Sequence, residues 1–180
     1  MPSTPKQNKP RFTHYPGQQA LRKGRVSLPG HAYVLTTSTE QRRPLFKNPI
    51  LGRIVVKEMR RLHEQQAVNS LAFVIMPDHL HWLFILGEGW TLAQLARTLK
   101  GRSARIISQQ ENYQKGQKNI QPVWQRGYYD HSVRDDEDLH RMARYIVANP
   151  LRAGLVKQLS NYPLWDALWL TDTLNTSHPP

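Results

Sequence analysis

The chain has 180 residues, no cysteine, and 25 lysines and arginines against 13 aspartates and glutamates, a formal net charge of +12. That length suits one domain with its own core, and the lack of cysteine excludes a disulfide framework, a zinc ribbon and a thiol nucleophile. So large a positive surplus favours a polyanionic partner, nucleic acid before membrane, because no basic amphipathic anchor is evident and no apolar run is unbroken enough to span a bilayer.

Residues 1–28 hold Lys6, Lys9, Arg11, Arg22, Lys23 and Arg25 with no acidic residue, together with four prolines. Such a segment buries little apolar surface and reads as a flexible basic arm. It is either a solubilising tail or, through Arg22, Lys23 and Arg25 beside the first strand, a DNA contact. With no apolar signal core at its start, the chain is expected to be cytoplasmic. The predicted folded domain spans 29–170, followed by a polar tail over 171–180.

Ala32-Tyr33-Val34-Leu35-Thr36-Thr37 is rich in aromatic and β-branched residues and predicts the first strand. Asn48-Pro49 is a cap followed by proline at the first helical position, and Ile50, Leu51, Ile54, Val55, Met59 and Leu62 recur at helical spacing. The helix they predict ends before Asn69-Ser70.

The most apolar run, Leu71 to Leu86, is interrupted by Pro77-Asp78, which is turn chemistry, so it predicts two buried strands joined tightly rather than one helix. On the second of these strands, alternation puts His79 and His81 side by side on one face and Leu80 and Trp82 on the other. Two imidazoles so placed, with a third oxygen or nitrogen donor, can hold a divalent cation and leave positions open for a substrate. The plainer reading is two polar residues on a half-exposed strand.

Thr91 is a cap for a second helix, whose apolar line is Leu92, Leu95, Leu99 and Ile106, with Gly101 as a point of weakness. Between Glu88 and Glu111 every charged residue is basic: Arg97, Lys100, Arg102 and Arg105. A row of cations is often only a solvated face, but the charge of the whole chain tips this one toward phosphate. Residues 112–122 read as a loop, and Val123 to Val133, with Trp124, Arg126, Tyr128 and Tyr129, as a strand.

The order βαββαβ predicts an α+β, ferredoxin-like (RRM-like) antiparallel sheet with both helices on one face. The other face, bearing the histidines, needs a cover. Asp135 to Asp138 favour a helix N-terminus, and Leu139, Met142, Ala143, Ile146 and Val147 make an apolar stripe for that cover. Tyr145 lies off the stripe with Asn149 one turn later on its side. On helix geometry alone these are a rim tyrosine and a capping asparagine before Pro150.

Taken together, Met-Pro-Asp-His-Leu-His-Trp (76–82), Trp-Gln-Arg-Gly-Tyr-Tyr-Asp-His (124–131) and Ala-Arg-Tyr-Ile-Val-Ala-Asn-Pro-Leu-Arg-Ala-Gly-Leu (143–155) resemble the REP-associated tyrosine transposases, a branch of the single-tyrosine HUH transposases. The resemblance runs from about Gly30 to Tyr162. His79-Leu80-His81 fits the His-hydrophobic-His signature. By this resemblance Tyr145 takes the nucleophile's position on a C-terminal helix near the histidine strand. Asn149 takes the third metal ligand's position, where broader relatives carry glutamine.

What the resemblance implies is cleavage of single-stranded DNA beside a palindromic hairpin, through a 5′-phosphotyrosine, with Mg²⁺ or Mn²⁺ and no nucleotide cofactor, by a protein expected to act as a monomer without a membrane. Charge and position assign Arg97, Lys100, Arg102, Arg105 and Arg126 to the DNA, with Arg22, Lys23 and Arg25 toward its single-stranded flank. Two other classes share parts of this pattern: a non-catalytic hairpin-binding protein, and a metal-dependent phosphohydrolase whose nucleophile is water.

Overall fold

The structure is a computed structural model and describes residues 27–115, 121–133 and 136–168. The basic arm, with Arg22, Lys23 and Arg25, and the polar tail lie outside those residues, apart from Ser27 and Leu28. Nine elements place the site: β1 (Ala32–Ser38), α1 (Pro49–Glu64), β2 (Val68–Met76), β3 (His79–Leu86), α2 (Leu92–Lys115), β4 (Tyr129–Val133), α3 (Asp136–Val147), α4 (Asn149–Arg152) and β5 (Trp165–Ala167).

The sheet order is β4-β1-β3-β2-β5 and every pairing is antiparallel. Its first four strands have the order expected of a ferredoxin-like unit, and β5 adds an edge beside β2. In β3, Leu80, Trp82, Phe84 and Leu86 are fully buried among residues of α1 and α2, including Val55, Met59, Leu62, Leu95 and Leu99. Leu83 faces the other way, into a second core built from Val34, Val74 and Met76 with Ala143, Ile146 and Val147 of α3. The period of two in β3 thus divides the molecule into three layers, with α3 covering the histidine face.

The helix starts follow local chemistry. Asn48 Oδ1 accepts the Ile50 amide at 3.0 Å, with Pro49 at the first turn of α1. Thr91 Oγ1 accepts the Gln94 amide at 3.2 Å while Gln94 Oε1 accepts the Thr91 amide at 2.9 Å, a reciprocal capping box for α2.

Three expectations shift. The buried line of α2 continues through Ser103 to Ile107, which is fully buried, and Ile106 is exposed, because steps of four from Leu99 keep the line on the sheet. The predicted strand over 123–133 contracts to β4. Trp124 is drawn onto α2 instead, its indole N–H donating to Ser103 Oγ at 3.0 Å, and Gly127 turns the chain with φ of 77°. Finally, α2 continues through Gly101 and past residue 112, where a loop was expected.

Candidate active site

Pro77 and Asp78 form a two-residue connection between Met76 and His79, which pair across the hairpin. Its tip is held from outside: the Asp78 carbonyl accepts the Thr39 amide at 2.8 Å and the Thr39 hydroxyl at 3.0 Å, and the Pro77 carbonyl accepts the Phe46 amide at 2.9 Å. Thr39 is itself buried. The first histidine therefore stands on backbone fixed by three hydrogen bonds.

His79 and His81 share a face, as the strand period requires. Their Nε2 atoms are 3.1 Å apart, with the rings nearly perpendicular at 88°. Each outer nitrogen has a partner: His79 Nδ1 lies 2.5 Å from Asp78 Oδ1, and His81 Nδ1 lies 2.8 Å from Thr36 Oγ1, its cross-strand neighbour on β1. Burial pushes the Asp78 carboxyl up, but hydrogen bonds and positive charge from His79 and Arg42 outweigh it and hold it below its ordinary value. An ionised carboxylate only accepts, so a proton of His79 sits on Nδ1, and the lone pair of the neutral imidazole is then at Nε2.

His81 is pushed down to about 3, first by burial and then by the positive charges of His79, Arg152 and Arg42, with Asp78 opposing them. It is neutral at physiological pH. The Thr36 hydroxyl can donate to or accept from it, so Nε2 of His81 either carries a bridging proton or offers a second lone pair. In the latter state two lone pairs converge, which is the donor set of a metal site with both ligands oriented by outer partners. Among the described residues, no group of three or more His, Cys, Asp or Glu side chains is placed to hold a metal ion.

On the covering layer, α3 packs against β2 and β3. Ala143, Ile146 and Val147 are buried, and Tyr145 stays 38% exposed, off the stripe as its position predicts. At Pro150 the helix loses an N–H, and Asn149 compensates: its Nδ2 donates to the Ile146 carbonyl at 2.8 Å. The capping reading of Asn149 is thus fulfilled by its nitrogen, while its Oδ1 accepts Arg152 Nη2 at 2.7 Å. Arg152 Nη1 donates to the Tyr145 carbonyl at 2.7 Å, and its guanidinium carbon lies 3.9 Å from the centre of the Tyr145 ring.

The basic residues separate. Arg97 and Arg105 on α2 and Arg126 in the connection before β4 are exposed. Lys100 is half-buried, and its ammonium donates to the carbonyls of Gln125 at 2.6 Å and Gly127 at 2.5 Å, so it anchors that connection to α2. Arg102 is also half-buried. A groove of about 760 Å³ runs between α2 and this connection, with Arg97, Ala104, Val123 and Tyr128 on its walls. Sequence reasoning missed Thr36, Arg42 and Arg152, and read Asp78 only as a turn residue. The Asp immediately before the first histidine was the one available signal, because the other three depend on strand register and on how the chain bends at Asn149-Pro150.

The architecture is thus an RRM-like antiparallel sheet with a His-Leu-His strand, its histidine face covered by a tyrosine-bearing helix. The model of the IS200-like transposases matches residues 27–149, and the chain belongs to that family. A REP-associated tyrosine transposase of Escherichia coli K12 is 34% identical over 92 residues, 51% of this chain and 50% of its own length. A Haemophilus influenzae protein named as a candidate of the same kind is 26% identical over 121 residues, 60% of this chain and 66% of its own. The chain thus spans between half and about two thirds of these relatives. The solved structure of a REP-associated tyrosine transposase bound to a REP hairpin shares the fold, with a TM-score of 0.63 over 86% of each chain at 22% identity.

Proposed function

We propose that this transposase cleaves and rejoins single-stranded DNA beside palindromic hairpin elements of the REP type, with Tyr145 as the nucleophile and His79, His81 and Asn149 Oδ1 as ligands of a divalent cation. The observation that carries the reading is the convergence of two Nε2 atoms, each with its outer nitrogen engaged, on the sheet face that the Tyr145 helix covers. Imidazole and amide donors with open positions suit Mg²⁺ or Mn²⁺ under cellular supply. Bound there, such an ion draws charge from the scissile phosphate and from the leaving oxygen.

The rest is the work of the chain. Tyr145 Oη gives up its proton and bonds to phosphorus, the bond from phosphorus to the 3′ oxygen breaks, and that oxygen takes up a proton to leave as a 3′-hydroxyl. The 5′-phosphotyrosine keeps the bond energy, so another 3′-hydroxyl reverses the step without a nucleotide cofactor. The packing of the histidine strand against the tyrosine helix within one chain supports a monomer as the acting unit. Exposed Arg97, Arg105 and Arg126 are suited to hold DNA phosphates, and the names of the relatives support a REP hairpin as the DNA. Among the described residues no helix is long and apolar enough to cross a membrane; the reaction belongs in the cytoplasm, where the DNA is.

The test is a denaturing gel of the full chain incubated with Mn²⁺ and a labelled REP hairpin bearing single-stranded flanks. A covalent adduct supports the reading. Binding without cleavage identifies a hairpin-binding protein, and cleavage without an adduct identifies a phosphohydrolase.

A further inference from the structure

Arg152 makes three contacts at once with the two residues that the proposed reaction takes from the end of α3. Its guanidinium stacks 3.9 Å from the Tyr145 ring centre, donates to the Tyr145 carbonyl at 2.7 Å, and donates to Asn149 Oδ1 at 2.7 Å. Asn149 is pinned at its other end, since Nδ2 donates to the Ile146 carbonyl. The amide therefore cannot flip without breaking a bond at each end, and its oxygen has a fixed direction.

We infer that Arg152 is a positioning residue for the proposed nucleophile and the proposed amide ligand, one planar guanidinium setting the azimuth of the Tyr145 ring and the direction of Asn149 Oδ1 together. The inference rests on the proposed reading of Tyr145 as nucleophile. A plain structural role is also open to Arg152, because the bond to the Tyr145 carbonyl caps α3 where Pro150 interrupts it. The positioning role needs the fork and the plane of arginine. A lysine ammonium supplies a cation and can cap a carbonyl, yet it cannot stack on the ring and reach both oxygens in the same geometry.

The experiment compares the unsubstituted chain with Arg152→Lys and Arg152→Ala in single-turnover adduct formation on a REP hairpin oligonucleotide with Mn²⁺, alongside hairpin affinity and melting temperature. Misplaced reacting groups commonly cost about 100-fold. We expect both variants to slow adduct formation at saturating DNA by about that factor while hairpin affinity stays within about three-fold, and we expect ethylguanidinium, but not ethylammonium, to restore part of the Arg152→Ala rate. Adduct formation by Arg152→Lys at the unsubstituted rate overturns the inference, as does a rate loss that merely follows a fall in melting temperature and affinity. If the unsubstituted chain forms no adduct, the nucleophile reading has failed and this inference falls with it.

Discussion

His79 Nε2 and His81 Nε2 face each other across 3.1 Å while Asp78 and Thr36 hold the opposite edges of the two rings. Two lone pairs at that separation repel unless a proton or a cation lies between them, so the pair is built to hold one or the other. His79→Ala and His81→Ala should each abolish adduct formation while hairpin affinity stays within a few-fold, because phosphate contacts rather than the metal carry affinity. Gel-shift and denaturing-gel assays on the same samples check both halves. Undiminished cleavage in EDTA would contradict the metal role.

Asp78 fixes which nitrogen of His79 bears the proton, and outer partners of this kind typically contribute about 10- to 100-fold in metal affinity. Asp78→Asn should lower Mn²⁺ affinity by about that factor, measured by calorimetry, without unfolding the hairpin, whose tip is tied to Thr39 and Phe46 through backbone carbonyls. An unchanged affinity would mean that Asp78 serves only the turn and its bond to Arg42.

The segment after α4 is tied down at Tyr162, whose hydroxyl donates to the Ile75 carbonyl at 2.7 Å. Tyr162→Phe should cost about 1 kcal/mol of stability by denaturant titration. Burial, with the negative charge of Asp78, pushes the Tyr162 phenol up to about 12. Since the folded state keeps a proton that the unfolded chain releases near its ordinary value of 10, this contribution is complete below that pH and is lost as pH rises toward 12. The Phe variant should lack that part of the alkaline loss; equal profiles would refute the assignment.

Arg97→Ala and Arg105→Ala should weaken hairpin binding and reduce the slope of log affinity against log salt by about 0.7 to 0.9 for each phosphate that the missing guanidinium had neutralised. Lys100→Ala should act differently, through stability, because its ammonium is already committed to the carbonyls of Gln125 and Gly127. Slopes unchanged in the two arginine variants would move the DNA to another surface.

Much of this arrangement is legible in the sequence because it depends on local periodicity. Alternation alone separates His79 and His81 from Leu80 and Trp82, and Asn48-Pro49 marks the start of α1. The apolar stripe of α3 likewise leaves Tyr145 outside. What escapes is whatever depends on register or on a bend. Thr36 and His81 are 45 positions apart and meet only because β1 and β3 pair in one register. Arg152 meets Tyr145 across the break between α3 and α4. The strand predicted over 123–133 starts only at Tyr129 because the Trp124 indole finds a buried hydroxyl on α2, a tertiary contact that overrides β-propensity.

Peptide mapping of the trapped adduct decides whether Tyr145 is the residue that attacks the DNA. Trypsin cuts after Arg144 and Arg152 and, separately, after Arg126 and Arg134, so Tyr145 falls in one peptide and Tyr128 with Tyr129 in another. Mass spectrometry should find the nucleotide on the peptide running from Tyr145 to Arg152, and Tyr145→Phe should leave no adduct at all. A nucleotide on the peptide from Gly127 to Arg134 would contradict the account, and with it the roles given to Asn149 and Arg152.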